Sequence, residues 1–192
     1  MTKKRVAVLI SGRGSNMTAL IEAAGAPDYP AEIVLVASNR PQAAGLSRAR
    51  EAGIPTALVD HTAFGGDRQA FEQALDATLE AHRIEIVCLA GFMRLLSPWF
   101  VSRWSGRLLN IHPALLPQFK GLHTHRRALE AGVTRHGATV HFVAVEMDSG
   151  PIVLQDSVPV IEGDTEATLA QRVLQLEHRL YPQALRLVAE SQ

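Results

Sequence analysis

The stretch Val6-Ala7-Val8-Leu9-Ile10-Ser11-Gly12-Arg13-Gly14-Ser15-Asn16 decides the fold class. Its first five residues form an unbroken apolar run, the pattern of a central parallel strand covered on both faces. A glycine-bearing loop follows, then Met17 to Ala24, helical in composition and stopped by Gly25 and Pro27. Strand, glycine loop and helix make the opening unit of an α/β sheet.

The unit recurs downstream. Ile33 to Ala37 predicts a second strand, and Pro41 to Ala52 a helix with proline near its start and Gly53 past its end. Pro55 to Val59 gives a third, weaker strand. Asp67 to His82 spaces Phe71, Leu75, Thr78 and Leu79 as on a helix. Ile84 to Ala90 is a fourth strand, and Ser97-Pro98 reads as an N-cap with proline at the first helical position. Leu108 to Ile111 is a fifth. Such alternation predicts right-handed βαβ units and a three-layer α/β fold with a mostly parallel, Rossmann-like sheet. After Pro113 the pattern changes. A long loop punctuated by Pro113, Pro117 and Gly121 precedes a helix near His125 to Ala131. Two strands, Thr139 to Val143 and Ile152 to Val158, form a hairpin-like pair, and a final helix starts at Thr165 and runs to about Ala189, with an interruption expected at Pro182. With no repeat, linker or low-complexity segment, residues 1–192 are read as one domain.

Composition narrows the function. Of 192 residues, 47% are hydrophobic, so the chain can build a core, and 19 basic residues balance 19 acidic ones, so no broad nucleic-acid surface is expected. The apolar run Val6 to Ile10 is too short for a signal peptide, and nothing approaches the ~20 apolar residues of a membrane span. A cytoplasmic protein with no membrane partner is the default expectation. The one cysteine, Cys88, lies in an apolar strand and reads as a buried thiol rather than a nucleophile.

Two regions carry chemistry. In the loop Gly12 to Asn16, glycines let the backbone approach an anion, and Ser15 and Asn16 can cap the helix or donate to a phosphate. A plain βα turn explains the same residues. The loop lacks the Gly-Lys-Ser/Thr ending of a P-loop. Met17 stands where a dinucleotide fingerprint needs its third glycine, and Ser38-Asn39-Arg40 brings no acidic residue to the end of the second strand. The other region pairs Asn110-Ile111-His112-Pro113 with Met147-Asp148-Ser149-Gly150. On a strand Asn110 and His112 share a side, and strand carboxyl ends are where ligands gather in such sheets. The amide can donate to a developing oxyanion, the imidazole can move a proton, and the carboxylate can charge or orient it. Each also has an ordinary structural reading, and His141, inside an apolar strand, reads as a core histidine. His123 and His125 flank Thr124, but neither HExxH nor CxxC is present, so no metal is expected. Arg126, Arg127 and Arg135 read as solvated helix-end charges.

Taken together, Val8 to Asn16, Leu89 to Arg94, Leu109 to Pro117 with Gly121 to His125, and His141 to Pro151 resemble the phosphoribosylglycinamide formyltransferases, the folate-dependent GAR transformylases, in the family's order along almost the whole chain. Arg13 departs from the family pattern, where another polar residue such as Asn is usual. The resemblance implies transfer of the formyl group of 10-formyltetrahydrofolate, a co-substrate, to the amine of glycinamide ribonucleotide, without metal or covalent intermediate. It implies Asn110, His112 and Asp148 as catalytic residues. It places the ribonucleotide and its phosphate on Gly12, Arg13, Gly14, Ser15, Asn16 and Glu177. It places the folate on Arg68, Met93, Arg94, Leu95, Leu96 and Asn110, with Leu116-Pro117 matching a bond that is cis in the family. The partners implied are these small molecules, the chain being a monomer or homodimer. Formyltetrahydrofolate hydrolases and methionyl-tRNA formyltransferases resemble the same domain but carry a further amino- or carboxyl-terminal part, for which 192 residues leave no room. A binding module would need the glycine loop but not Asn110, His112 and Asp148 together.

Overall fold

In the computed structural model, residues 2–192 are described. Five parallel strands, β1 (Lys4–Ile10), β2 (Ala31–Ser38), β3 (Thr56–Leu58), β4 (Ile86–Leu89) and β5 (Leu108–His112), pair in the order β3-β2-β1-β4-β5. Two antiparallel strands, β6 (Arg135–Phe142) and β7 (Ile152–Pro159), extend the sheet beyond β5 to seven strands.

Alternation along β1 builds both halves of the core. Val6, Val8 and Ile10 face α1 (Ser15–Ala24), α2 (Ala44–Glu51) and α6 (Glu166–Ser191), while Ala7 and Leu9 face α3 (Arg68–Ala81) and α4 (Pro98–Arg103). Helices therefore cover both faces, giving the three-layer α/β fold read from the strand–helix alternation. A short α5 (Thr124–Glu130) adds Ala128, with the partly buried Leu129, to the first of these cores. The sheet order reverses between β1 and β4, and the loops leaving both strands flank that crevice, the usual ligand position in an open α/β sheet.

Three local expectations are corrected. The α2 helix begins at Ala44, because Pro41 and Gln42 form a turn before it. β6 starts at Arg135 rather than Thr139, and Arg135 donates to the Ser157 hydroxyl across the hairpin instead of ending a helix. α6 runs unbroken through Pro182. A proline inside a helix costs about 3 kcal/mol, but Leu180, Tyr181, Ala184 and Leu185 around it are buried. Two such leucines contribute about 1.5–3 kcal/mol each, which offsets the loss. Tyr29 also donates to the Pro182 carbonyl at 2.6 Å.

Candidate active site

β5 ends at the site. Its antiparallel register with β6 sets Asn110 opposite His141 and His112 opposite Thr139. The His141 ring is buried and donates from Nδ1 to the Phe142 carbonyl (3.0 Å), so its Nε2 is the acceptor facing the Asn110 amide nitrogen at 3.3 Å. Burial holds the His141 pKa below the ordinary histidine value, in keeping with a neutral ring. Asp148 reaches in from the turn between β6 and β7, its carboxylate 3.6 Å from His112 Nδ1 and 3.9 Å from His141 Nε2. His112 Nε2 lies 2.9 Å from the Phe119 carbonyl. A ring protonated on both nitrogens thus faces an oxygen on each side.

The Asp148 turn is held from behind. Asp148 sits at φ 52°, a left-handed conformation in which Asp is tolerated better than most residues. The Gly121 N–H donates to its carboxylate at 2.8 Å. Two residues on, a Cβ built on Gly150 would stand 1.7 Å from the Phe142 carbonyl oxygen, so only glycine lets the turn close against β6.

At the crevice, Gly14 at φ 71° caps α1, with no side-chain cap. Neither Ser15 nor Asn16 is that cap; Asn16 instead donates to Glu177 of α6 at 3.2 Å. Both side chains are buried, and burial pushes the Glu177 carboxyl up to about 7. The Asn16 amide oxygen has no hydrogen-bond partner. Gly12 to Asn16, with Ala90 and Gly91, line a cavity of about 320 Å³. Gly45 of α2 fits under the loop, donating to the Gly12 carbonyl at 3.0 Å. A larger groove of about 620 Å³ runs between α1 and α6, away from Asn110, His112 and Asp148.

One hydroxyl joins the crevice loops, for Ser11 donates to Asn39 Oδ1 (2.6 Å) and accepts from the Met93 N–H (2.8 Å). Beyond it Met93 and Leu95 are more than half exposed, 59% and 64%, an apolar rim in open solvent. The Arg94 guanidinium lies 5.5 Å from the Phe71 ring centre, Leu96 packs against the core around Phe71, and Arg68 is exposed at the first residue of α3.

The chain has relatives of known name and structure. It is 49% identical to the phosphoribosylglycinamide formyltransferase of Escherichia coli (strain K12), over 92% of this chain and 83% of that one. It superposes on the crystal structure of phosphoribosylglycinamide formyltransferase from Brucella melitensis with a TM-score of 0.94 at 53% identity, covering 98% and 96% of the two chains. It is also 54% identical to the human trifunctional purine biosynthetic protein adenosine-3 over 97% of its own length, but spans only 18% of that protein. The formyl transferase family profile matches residues 4–185. The chain belongs to the formyl transferase family.

In this formyl transferase the fold brings Asn110, His112 and Asp148 to one strand end, and gathers Gly12, Arg13, Gly14, Ser15 and Asn16 around the crevice with Glu177 behind. The Leu116-Pro117 bond is cis. Two residues escaped the sequence reading. His141 is not merely core, since it contacts the Asn110 amide; pairing Asn110 with the apolar strand after the loop would have found it. Arg127 is not a solvated helix end, since its guanidinium donates to the Lys120 and Leu122 carbonyls at 2.6 and 3.2 Å. Among the described residues, no group of three or more His, Cys, Asp or Glu side chains is placed to hold a metal ion, and no helix is long and apolar enough to cross a membrane.

Proposed function

We propose that this formyl transferase moves the formyl group of 10-formyltetrahydrofolate to the amine of glycinamide ribonucleotide, giving formylglycinamide ribonucleotide and tetrahydrofolate in purine biosynthesis. Residues 1–192 act as one catalytic unit in the cytoplasm. The observation that carries the reading is the convergence of Asn110, His112 and Asp148 at the end of β5 in a chain so similar to named phosphoribosylglycinamide formyltransferases.

The neutral amine attacks the formyl carbon, and the carbonyl oxygen takes up negative charge. Asn110, its amide nitrogen held by His141, turns its second N–H to that oxygen, and His112, when protonated, stabilises it by its charge. A preorganised donor of this kind lowers a barrier by roughly 3–4 kcal/mol. Asp148 stands beside His112, its carboxylate facing Nδ1 of the ring. The proton leaves the attacking nitrogen through a water held by Asp148, or through His112 in its neutral form, and reaches the departing folate nitrogen. No covalent intermediate is required, and Cys88, buried and with its thiol pushed up to about 12, offers no nucleophile.

For the ribonucleotide, the free N–H groups at the start of α1 and the Gly12–Asn16 cavity suit a phosphate. Glu177, close behind, suits a hydroxyl or amine of the same ligand. For the folate, the exposed rim of Met93 and Leu95 offers apolar surface to an aromatic ring, and Arg94 and Arg68 offer cations to a carboxylate tail.

The test follows tetrahydrofolate release from 10-formyltetrahydrofolate with and without glycinamide ribonucleotide. Release that requires the ribonucleotide supports the transferase; release with no amine present makes the protein a hydrolase instead. His112→Ala is expected to keep ribonucleotide binding and lose about 10²–10⁴-fold in turnover. Undiminished turnover would remove His112 from the chemistry.

A further inference from the structure

Between β5 and α5 the chain makes a tight reversal in which Phe119, Gly121 and His123 all have positive φ, at 53°, 81° and 57°. For Phe and His this is an unfavourable backbone region. The reversal nevertheless touches both ionisable members of the proposed catalytic group. The Phe119 carbonyl accepts from His112 Nε2 at 2.9 Å, and the Gly121 N–H donates to Asp148 at 2.8 Å. Two residues apart, these backbone groups bridge the imidazole and the carboxylate.

What holds the reversal is one side chain. Arg127, in the last turn of α5, sends its guanidinium back across the loop. It donates to the Lys120 carbonyl at 2.6 Å and to the Leu122 carbonyl at 3.2 Å, and lies over the Phe119 ring at 5.6 Å. It therefore grips the residue between the two bridging groups, the residue after them, and the ring of the residue that orients His112. A planar, permanently charged fork can bond two carbonyls and stack on an aromatic face together; a lysine ammonium cannot. Its neighbour Arg126 points away and pairs with Glu166 at the surface.

We infer that Arg127 is a positioning residue: by bracing the 119–122 reversal it fixes the distance and orientation between His112 and Asp148. The inference rests on the functional reading above. The hydrogen bonds of Arg127 go to main-chain carbonyls of the reversal and not to Asn110, His112 or Asp148. Its effect falls on the alignment of two groups, and hence on kcat, because misplacements of the order of 1 Å cost about 10²-fold in favourable cases.

The experiment compares Arg127→Ala, Arg127→Lys and, as a control, Arg126→Ala by steady-state kinetics and amide hydrogen exchange. Arg127→Ala is expected to lower kcat about tenfold while the KM for glycinamide ribonucleotide stays within about twofold. Exchange should quicken in the 113–123 segment while β1 and β4 keep their protection. Arg127→Lys should recover part of the rate, and Arg126→Ala should match the wild type. Unchanged kcat in Arg127→Ala overturns the inference, and so does a loss of protection spread over the whole sheet, which would make Arg127 a general stabiliser. If the wild type shows no ribonucleotide-dependent turnover, it is the functional reading that fails, and the exchange pattern alone then judges the brace.

Discussion

With Nδ1 committed to the Phe142 carbonyl, the His141 ring has only the Nε2 lone pair to offer, and that lone pair can accept only an amide N–H. This settles which way round Asn110 sits, with its nitrogen toward His141. His141→Phe keeps a ring of similar size but removes the acceptor. We expect kcat to fall about tenfold with little change in KM, the loss of one hydrogen bond of about 1.4 kcal/mol in the transition state; equal falls in kcat and affinity for either substrate would deny that role. The convergence of Asn110, His112 and Asp148 was legible in the sequence because their side chains interrupt apolar strands or sit in a glycine turn. His141 was not, since a buried histidine in a strand looks the same whether its partner is a backbone carbonyl or a side-chain amide. Arg127 escaped for a related reason. Its partners are main-chain carbonyls, and no residue pattern marks where those will point.

The elements that carry these side chains are short, and their junctions do the placing. Apolar runs announced β1, β2, β4 and β5 within a residue or two, because buried parallel strands need little else. Junctions were harder: a proline at 41 proved to belong to a turn, and one at 182 was absorbed by packing. The turn from β6 to β7 shows how much rests on such a junction. Gly150→Ala would drive a methyl group against the Phe142 carbonyl oxygen. The turn must then move off β6, carrying Asp148 away from His112. The expected result is a folded protein with turnover reduced about tenfold or more, and a crystal structure of the variant should show a displaced 147–150 segment. Wild-type kinetics with an unmoved turn would show that β6 yields instead.

Across the whole molecule, opposing proton linkages meet. His125, His136 and His141 are all held below the usual histidine value by burial, His136 at about 4. The unfolded chain takes up these protons near pH 6.5, so the native state loses stability as pH falls from there toward 4. Glu177 works the other way. Unfolded, it gives up its proton near 4.5, and folded only near 7, so stability falls as pH rises across that window and the penalty is then constant. Glu177→Gln cannot ionise. Its unfolding free energy should match the wild type near pH 4.5 and exceed it by about 3 kcal/mol at pH 8; a gap of one size at every pH would mean the carboxyl is not the cause. The Asn16–Glu177 contact that sets this linkage also joins positions 161 apart in sequence. On a ribosome, which delivers the amino-terminal end first, the glycine loop and its β1–α1 neighbours emerge long before the residue that anchors Asn16 exists. Until α6 arrives that amide has no partner on it, so the glycine-loop cavity is among the first parts of this protein to be made and among the last to be finished.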